Sequence, residues 1–453
     1  MRTFPIGGIH PSDNKEWSKD RAIETLELPS EVYIPMIQHI GAPSTPIVKK
    51  GDKVLTGQLI GQAVGFVSAN IHSSVSGTVT SVDAYPNGQG QRRIMVVIKR
   101  EGDEWVETID RSTELKRECT LTPQEIIAKV RDAGIVGLGG AQFPTHVKLS
   151  VPDGQRAEVL IINGVECEPY LTSDYRNMME RAELILTGVE ILMRAVSVER
   201  AVIGVENNKP DAIAHLSDVI AKGNYRGIEV MPLKVRYPQG GEKQLIAAVT
   251  GRQVAPPPAL PISVGAVVCN VSTTIAVYEA VQKNKPLIER VVTITGQQMV
   301  QPRNLLTRMG TPISTLVEKA GGLPEGDVKV VNGGPMMGNL GDEATVVTKT
   351  TNAIIVLDES HSLIQRKNRN TAIDLKRAAS SCCQCETCTN LCPRHALGHP
   401  IEPHKFMRSA ANKDFQDTNV FLNTMFCSSC GLCENFLLPL PLQLLRRHRH
   451  SFR

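Results

Sequence analysis

A multidomain chain of mixed α/β and α+β class is predicted by three features of its 453 residues. Short apolar runs punctuated by turn residues occupy 30–100, helical and strand patterns alternate over 121–290, and seven cysteines at ligand spacing crowd the C-terminal end. With 41% hydrophobic and 21% charged residues, the composition is that of an ordinary globular protein long enough for three or so domains.

The N-terminal runs, Val32 to Ile34, Thr45 to Val48, Val54, Leu59 to Gly61 and Val75 to Val79, alternate with Gly51-Asp52, Gly57 and Gly77, which reads as small β structure with tight turns. The phrases Val48-Lys49-Lys50-Gly51-Asp52-Lys53-Val54 and Ser76-Gly77-Thr78-Val79 resemble the biotinyl/lipoyl hammerhead. The tip, Ala69 to Ser74, holds no lysine, so no swinging arm is expected. Thr122-Pro123-Gln124-Glu125 predicts a capped helix through Ala133. Val159 to Ile162, Ala201 to Val205 and Ile228 to Leu233 suit buried parallel strands, with helices over Arg181 to Ala195 and Pro210 to Ala221. Four prolines make Pro256 to Pro261 a stiff loop. Strand-like runs return at Val291 to Thr295, Val328 to Val331 and Ala353 to Leu357 around a helix at Pro312 to Ala320, and the polar Asp358 to Arg369 reads as a linker.

A formal charge of +4 and 4% aromatic residues give no case for nucleic-acid binding. No stretch approaches the roughly 20 apolar residues of a membrane span, and the N-terminus lacks a signal-peptide core. The expectation is a cytoplasmic chain that meets a membrane only through partners. Cysteines at metal-ligand spacing fit a reducing compartment, because thiolates must stay free to bind metal.

Cys382, Cys385, Cys388 and Cys392, closed by Pro393, form the C-x2-C-x2-C-x3-C run of ferredoxins; Cys427, Cys430 and Cys433 begin a second run. In two-cluster ferredoxins the fourth cysteine of each run ligates the other cluster. Cys392 would therefore complete the cluster on Cys427, Cys430 and Cys433. The cluster on Cys382, Cys385 and Cys388 would lack its fourth cysteine, since Leu437 stands at that spacing. Zinc knuckles are the alternative reading, and Cys383 is a stand-in ligand to consider. After about Glu434 the sequence is unlike a ferredoxin ending. Either the reading frame is altered there, or the chain is a native variant with a three-cysteine [3Fe-4S], water-ligated or histidine-ligated cluster.

Two loops invite a nucleotide. In Gly134 to Lys148 the glycines at 137, 139 and 140 let backbone amides approach a phosphate or flavin, and Lys148 adds positive charge. A tight turn is the plain alternative. Asn163-Gly164-Val165-Glu166-Cys167-Glu168-Pro169-Tyr170 follows a strand, where open α/β sheets bind ligands; a polar loop capping the next helix is its alternative.

This pair of loops resembles the flavin- and NADH-binding subunit of respiratory complex I. With Phe4 to Pro11, Gln38 to Pro43, His72 to Gly77, Tyr237-Pro238-Gln239-Gly240-Gly241-Glu242 and Gly333-Gly334-Pro335-Met336-Met337-Gly338, the chain from about 4 to 433 is identified as a member of the Rnf complex C subunit family. The resemblance implies a hammerhead-like β domain at 1–110, a Rossmann-like FMN/NADH domain at 120–290, an SLBB β-grasp domain at 291–357, a two-cluster ferredoxin-like domain at 370–436 and an atypical tail at 437–453. Carried over by motif, Gly137, Gly139, Gly140, Lys148, Asn163, Glu166 and Asn270 line FMN, and Phe143, Glu168 and Glu206 meet NAD(H). The seven cysteines hold 4Fe-4S clusters, and no residue is assigned a catalytic acid, base or nucleophile role. Gln142 and Val165 depart from the complex I loops, which carry glycine and aspartate there.

The implied activity is that of the electron-input subunit of a membrane-bound, ion-translocating ferredoxin:NAD oxidoreductase, with other Rnf subunits, including a ferredoxin-like one, as partners. The implied place is the cytoplasmic face of a bacterial inner membrane. A soluble cobalamin reductase of a diol-utilisation microcompartment and a non-catalytic scaffold subunit are the alternatives.

Overall fold

A computed structural model describes residues 1–5, 7–87, 90–342, 345–369, 371–411 and 417–433. The predicted tail at 437–453, Leu437 included, lies outside the described residues.

The N-terminal β unit contains two small antiparallel sheets. One runs in the order Glu31–Pro35, Arg92–Arg100, Gly77–Pro86, Lys53–Val54, and the other Thr45–Pro46, Leu59–Gln62, Ile71–His72. Val32, Ile34, Ile60, Ile71, Val79, Val96 and Ile98 fill the space between. The lysine-free tip is itself buried: Ser74 Oγ donates to Met309 O at 2.6 Å and Asn70 Nδ2 to Asp132 O at 3.2 Å. It is docked, not swinging.

Four parallel strands form the central sheet, in the order Ile228–Leu233, Ala201–Glu206, Val159–Asn163, Ala266–Asn270. The first three in sequence step outwards in one direction, and the fourth returns to the other side of the first. The strand order therefore reverses between Val159–Asn163 and Ala266–Asn270, which is where such sheets open a crevice at their carboxyl ends. Helices Ala182–Ala195 and Val271–Gln282 bury Leu186, Val189, Val277 and Tyr278 in the main core. The predicted capping box closes helix Pro123–Asp132, with Thr122 N donating to Glu125 Oε2 at 2.7 Å and Glu125 N to Thr122 Oγ1 at 3.3 Å.

A six-stranded mixed sheet follows, in the order Ile23–Thr25, Arg303–Arg308, Glu289–Thr295, Ala353–Asp358, Val328–Asn332, Asn339–Gly341. Its first edge strand comes from the N-terminal stretch and runs parallel to its neighbour. The predicted linker at 358–369 is instead partly a helix, Ser362–Lys367. Leu363 and Ile364 are the reason: both are buried against Ile355 and Leu357 of the sheet, so a stretch that is polar on average still carries an apolar pair. Helices Thr371–Ser381, Pro403–Ala411 and Thr418–Asn423 then frame the cysteine region around Ala378, Phe406 and Met407.

Gly188 lets the two core helices touch. A Cβ there would lie 2.4 Å from Thr274 O and 2.8 Å from Thr274 Cγ2. Because the obstacle is backbone, Gly188→Ala is expected to destabilise the chain by about 1–3 kcal/mol, read from denaturant unfolding.

Candidate functional site

Asn163 and Asn270 are register partners at the carboxyl ends of the two strands that flank the reversal. Asn270 caps the following helix, its Oδ1 accepting Ser272 N at 2.9 Å and Thr273 N at 3.3 Å, while its Nδ2 donates to Asp174 Oδ2 at 2.6 Å. Asn163 Nδ2 donates to Gly240 O at 2.8 Å. The glycine loop closes over this end. Gly137 N donates to Phe143 O at 2.9 Å, Thr145 N to Ile135 O at 3.0 Å, and Leu138 N to Thr273 Oγ1 at 2.9 Å.

At Gly139 any Cβ would sit 3.1 Å from the Asn270 side chain. Gly140 adopts φ +130° with no atom within 4 Å of a would-be Cβ, and both glycines are exposed. The loop is thus a backbone surface open to an incoming group, as a flavin or phosphate requires. Gln142, where the complex I loop has glycine, takes φ +57°, and its carbonyl accepts Ile40 N at 3.0 Å from the N-terminal β unit. Phe143 is half-buried. Lys148 lies beneath, its Nζ 2.6 Å from Glu242 Oε1 and 3.2 Å from Val268 O, so its charge is already balanced within the protein.

The acidic loop is held by a lysine that no motif announced. Lys15 Nζ donates to the carbonyls of Glu166 at 3.0 Å, Glu168 at 3.1 Å and Leu171, and sits 3.6 Å from Glu166 Oε2. The loop bends sharply, with Glu166 at φ +48° and Tyr170 at φ +70°. Glu166 Oε1 accepts Asp174 N at 2.7 Å, whereas its Oε2 is buried without a hydrogen-bond partner, leaving an acceptor for a further donor. Burial raises the Glu166 carboxyl to about 7, with Lys15 opposing and Asp174 adding to the rise.

Glu168 turns away from the crevice to accept Met336 N and Met337 N, each at 2.9 Å, from the Gly333–Gly338 loop. Glu206 accepts Arg236 N at 3.0 Å and lies 3.7 Å from Lys209 Nζ, which also donates to Val165 O at 2.9 Å. Burial raises Glu168, Glu206 and Asp174 and lowers Lys209. The structure thus gathers Gly137, Gly139, Gly140, Asn163 and Asn270 at the crevice, with Glu166 at its acidic wall. The carboxylates of Glu168 and Glu206 are engaged inside the protein. Lys15, Asp174 and Lys209 join the site from outside the predicted set. Only Asp174, close behind the acidic loop in sequence, carried any signal.

In the cysteine region Cys382, Cys383 and Cys385 are exposed. Cys388, Cys392, Cys427, Cys430 and Cys433 line one cavity of about 760 Å³, part of it open to solvent. The thiols fall into two electrostatic groups. Cys430 neighbours Cys427 and Cys392, while Cys388 neighbours Cys382. Among the described residues no three His, Cys, Asp or Glu side chains are close enough to hold a single metal ion. Cys383 is within hydrogen-bonding reach of Cys385.

The second run also packs on the nucleotide unit. Tyr237 Oη donates to Cys430 O at 2.7 Å, and Tyr237, Met336, Cys430 and Leu432 form one apolar cluster with Cys167 and Ile9 at its edge. Gln244 Nε2 donates to Pro393 O at 3.2 Å and Gly8 N to Leu391 O at 3.0 Å. The loop that starts at Asn163 therefore begins at the carboxyl end of the sheet and packs through Cys167 against the second cysteine run.

A backbone-lined crevice beside a cysteine-lined cavity defines a flavin and iron–sulfur electron-transfer protein. Four family descriptions match in order: the RnfC barrel sandwich hybrid domain at 3–103, the Nuo51 FMN-binding domain at 130–279, the SLBB domain at 291–340 and the 4Fe-4S dicluster domain at 381–437. The chain is 44% identical to the C subunit of the proton-translocating ferredoxin:NAD(+) oxidoreductase complex of Clostridium ljungdahlii, covering 86% of this chain and 81% of that one. It is 42% identical to the C subunit of the Na(+)-translocating complex of Acetobacterium woodii, over 86% and 84%, and 40% identical to that of the ion-translocating oxidoreductase complex of Rhodobacter capsulatus, over 87% and 73%. An NAD+-reducing [NiFe]-hydrogenase in the H2-reduced state is similar at 21% identity and TM-score 0.48, over 73% of this chain and 62% of that one. The chain belongs to the Rnf complex C subunit family.

Two outcomes are expected. Lys15→Met removes the donor to three carbonyls and a cation 3.6 Å from Glu166 Oε2, so stability should fall by about 3–5 kcal/mol in equilibrium unfolding. The native Glu166 carboxyl titrates near 7, above its unfolded value, so its contribution is full at acidic pH and is lost as pH rises through about 7. Glu166→Gln should therefore flatten the decline in unfolding free energy between about pH 4.5 and 7, by up to about 3 kcal/mol; parallel profiles for both proteins would refute this.

Proposed function

We infer that this chain is the peripheral electron-input subunit of a membrane-bound, ion-translocating ferredoxin:NAD oxidoreductase, carrying electrons between NAD(H), FMN and iron–sulfur clusters. The observation that carries it is a shared contact. The loop that begins at Asn163, register partner of Asn270 at the carboxyl end of the sheet, packs through Cys167 on the cluster of Tyr237 and Cys430. The C subunits of the related complexes support the same reading, and they favour it over a cobalamin reductase or a scaffold.

The inferred parts are a hammerhead-like domain at 1–110, a Rossmann-like domain at 120–290, a β-grasp domain at 291–357 and a two-cluster ferredoxin-like domain at 370–436. Its other partners are the remaining subunits of the complex, a ferredoxin-like one among them. No helix among the described residues is long and apolar enough to cross a membrane; the place proposed for the chain is the cytoplasmic face of a bacterial inner membrane, with attachment through those partners.

FMN, when bound, supplies the conversion of a two-electron hydride into single electrons. Gly137, Gly139 and Gly140 would admit it along bare backbone, Asn163 and Asn270 would present amides to it, and Glu166 offers an acceptor oxygen still lacking a donor. Phe143 supplies an apolar face for the nicotinamide nucleotide. Glu168 and Glu206 act on that nucleotide at one remove, by fixing the loops they bind. Lys148, paired with Glu242, supports the loop through the strand end at Val268. Cys392, Cys427, Cys430 and Cys433 would hold the cluster beside the flavin. Cys382, Cys385 and Cys388 would hold the one at the exposed end. No protein acid or base is required.

Anaerobic reconstitution with FMN, iron and sulfide should yield a flavin that NADH bleaches; a chain that retains no FMN and does not oxidise NADH with ferricyanide would overturn the reading. Iron analysis should give about four irons or a [3Fe-4S] signal beyond them, and a full complement of about eight would contradict an impaired exposed cluster. Cys430→Ala should abolish the EPR signal of the flavin-side cluster, whereas Cys385→Ala should leave that signal in place.

A further inference from the structure

Two buried basic side chains reach the glycine loop from the six-stranded sheet, Arg290 on strand Glu289–Thr295 and Lys349 just before strand Ala353–Asp358. Lys349, 1% exposed, donates from Nζ to Gly134 O at 2.7 Å and to Asn70 O at 2.8 Å. Arg290, 5% exposed, donates to Leu138 O at 3.4 Å and to the carbonyl of Lys349. Gly134 and Leu138 bracket the start of the loop that carries Gly137, Gly139 and Gly140. The geometry leaves no slack at the first of them: Gly134 has φ +65°, and a Cβ there would fall 2.1 Å from Asn70 O and 3.0 Å from Lys349 Nζ.

Both side chains lean on carbonyl oxygens rather than carboxylates, an arrangement that leaves their charge largely uncompensated. Burial accordingly lowers Lys349 to about 7 and Arg290 to about 10, with Asp174 opposing the fall at Arg290. His39 and His72, which feel the Lys349 charge, are themselves held low by burial, at about 4 and about 3. Apolar side chains would fill this space at lower cost if packing were the only requirement. What a cation adds is a donor to two converging carbonyls and a positive field beneath the loop.

We propose that Arg290 and Lys349 are positioning residues of the flavin site: from the six-stranded sheet they fix the shape of the glycine loop and place positive charge under the group it binds. The proposal rests on the reading that this loop holds FMN. It makes that sheet a working part of the nucleotide site rather than a spacer, since Glu168 already ties the acidic loop to the same unit. Positive charge near a flavin favours its reduced, more negative forms. Loss of the charge should therefore move the potential as well as the affinity.

The test titrates FMN into flavin-stripped, full-length, anaerobically reconstituted chain, following flavin fluorescence, alongside thermal unfolding and a redox titration of the bound flavin, all at about pH 6, below the value of about 7 for Lys349, so that its charge is present. Lys349→Met, close to isosteric and uncharged, should raise the FMN dissociation constant at least tenfold and shift the flavin midpoint potential to more negative values. Arg290→Lys keeps the charge and shortens the reach to Leu138; it should weaken FMN binding while moving the potential less, and it carries the test if Lys349→Met does not fold. Wild-type affinity and potential in the folded variants would overturn the proposal while leaving the flavin reading intact. Failure of the wild-type chain to bind FMN would overturn both.

Discussion

The fold around the crevice depends on one ammonium group, because Lys15 Nζ gathers three carbonyls and one carboxylate of the segment 166–171, a stretch that two left-handed residues bend too sharply to be held by regular secondary structure. A buried cation is tolerable only when its donors are satisfied, and the acidic loop is shaped to satisfy them. Once bent, the loop turns Glu166 onto Lys15 and Asp174, Glu168 to the SLBB unit and Cys167 to the cysteine domain. Each neighbouring unit is aligned by a different residue of one short loop.

The chemistry that follows is a matter of juxtaposition. Accepting hydride and releasing single electrons needs a flavin site sealed from water and a cluster close to it. Here the apolar cluster of Tyr237, Met336, Cys430 and Leu432 joins the nucleotide unit to the second cysteine run. Four units meet about the glycine and acidic loops: the N-terminal β unit through Ile40 and Gln142, the central sheet through its two asparagines, the SLBB unit through Met336 and Met337, and the cysteine domain through the bond from Tyr237 to Cys430.

The asymmetry between the two cysteine runs acquires a direction from this packing. Cys430 of the second run packs against the nucleotide unit, while Cys382 and Cys385 of the first lie at the surface. A missing ligand on the exposed side would leave electron entry intact and weaken exit towards a partner, which is a different defect from loss of flavin chemistry.

Sequence alone determined what is local or periodic. The capping box at Thr122, the three strands at 159–162, 201–205 and 228–233, the glycine loop and the two cysteine runs all depend on residues a few positions apart, and the resemblance of the loops carried the family and its cofactors. Tertiary structure decided everything that joins distant segments. Lys15 meets Glu166 from 151 positions away, Glu168 chooses the backbone of Met336 and Met337 over the crevice, Arg290 and Lys349 reach under the glycine loop, and the apolar pair Leu363-Ile364 turns an apparent linker into a packed helix. The physical reason is the same in each case: a buried charge or apolar pair takes its partner from whatever the folded chain brings beside it, and spacing along the sequence carries no record of that choice.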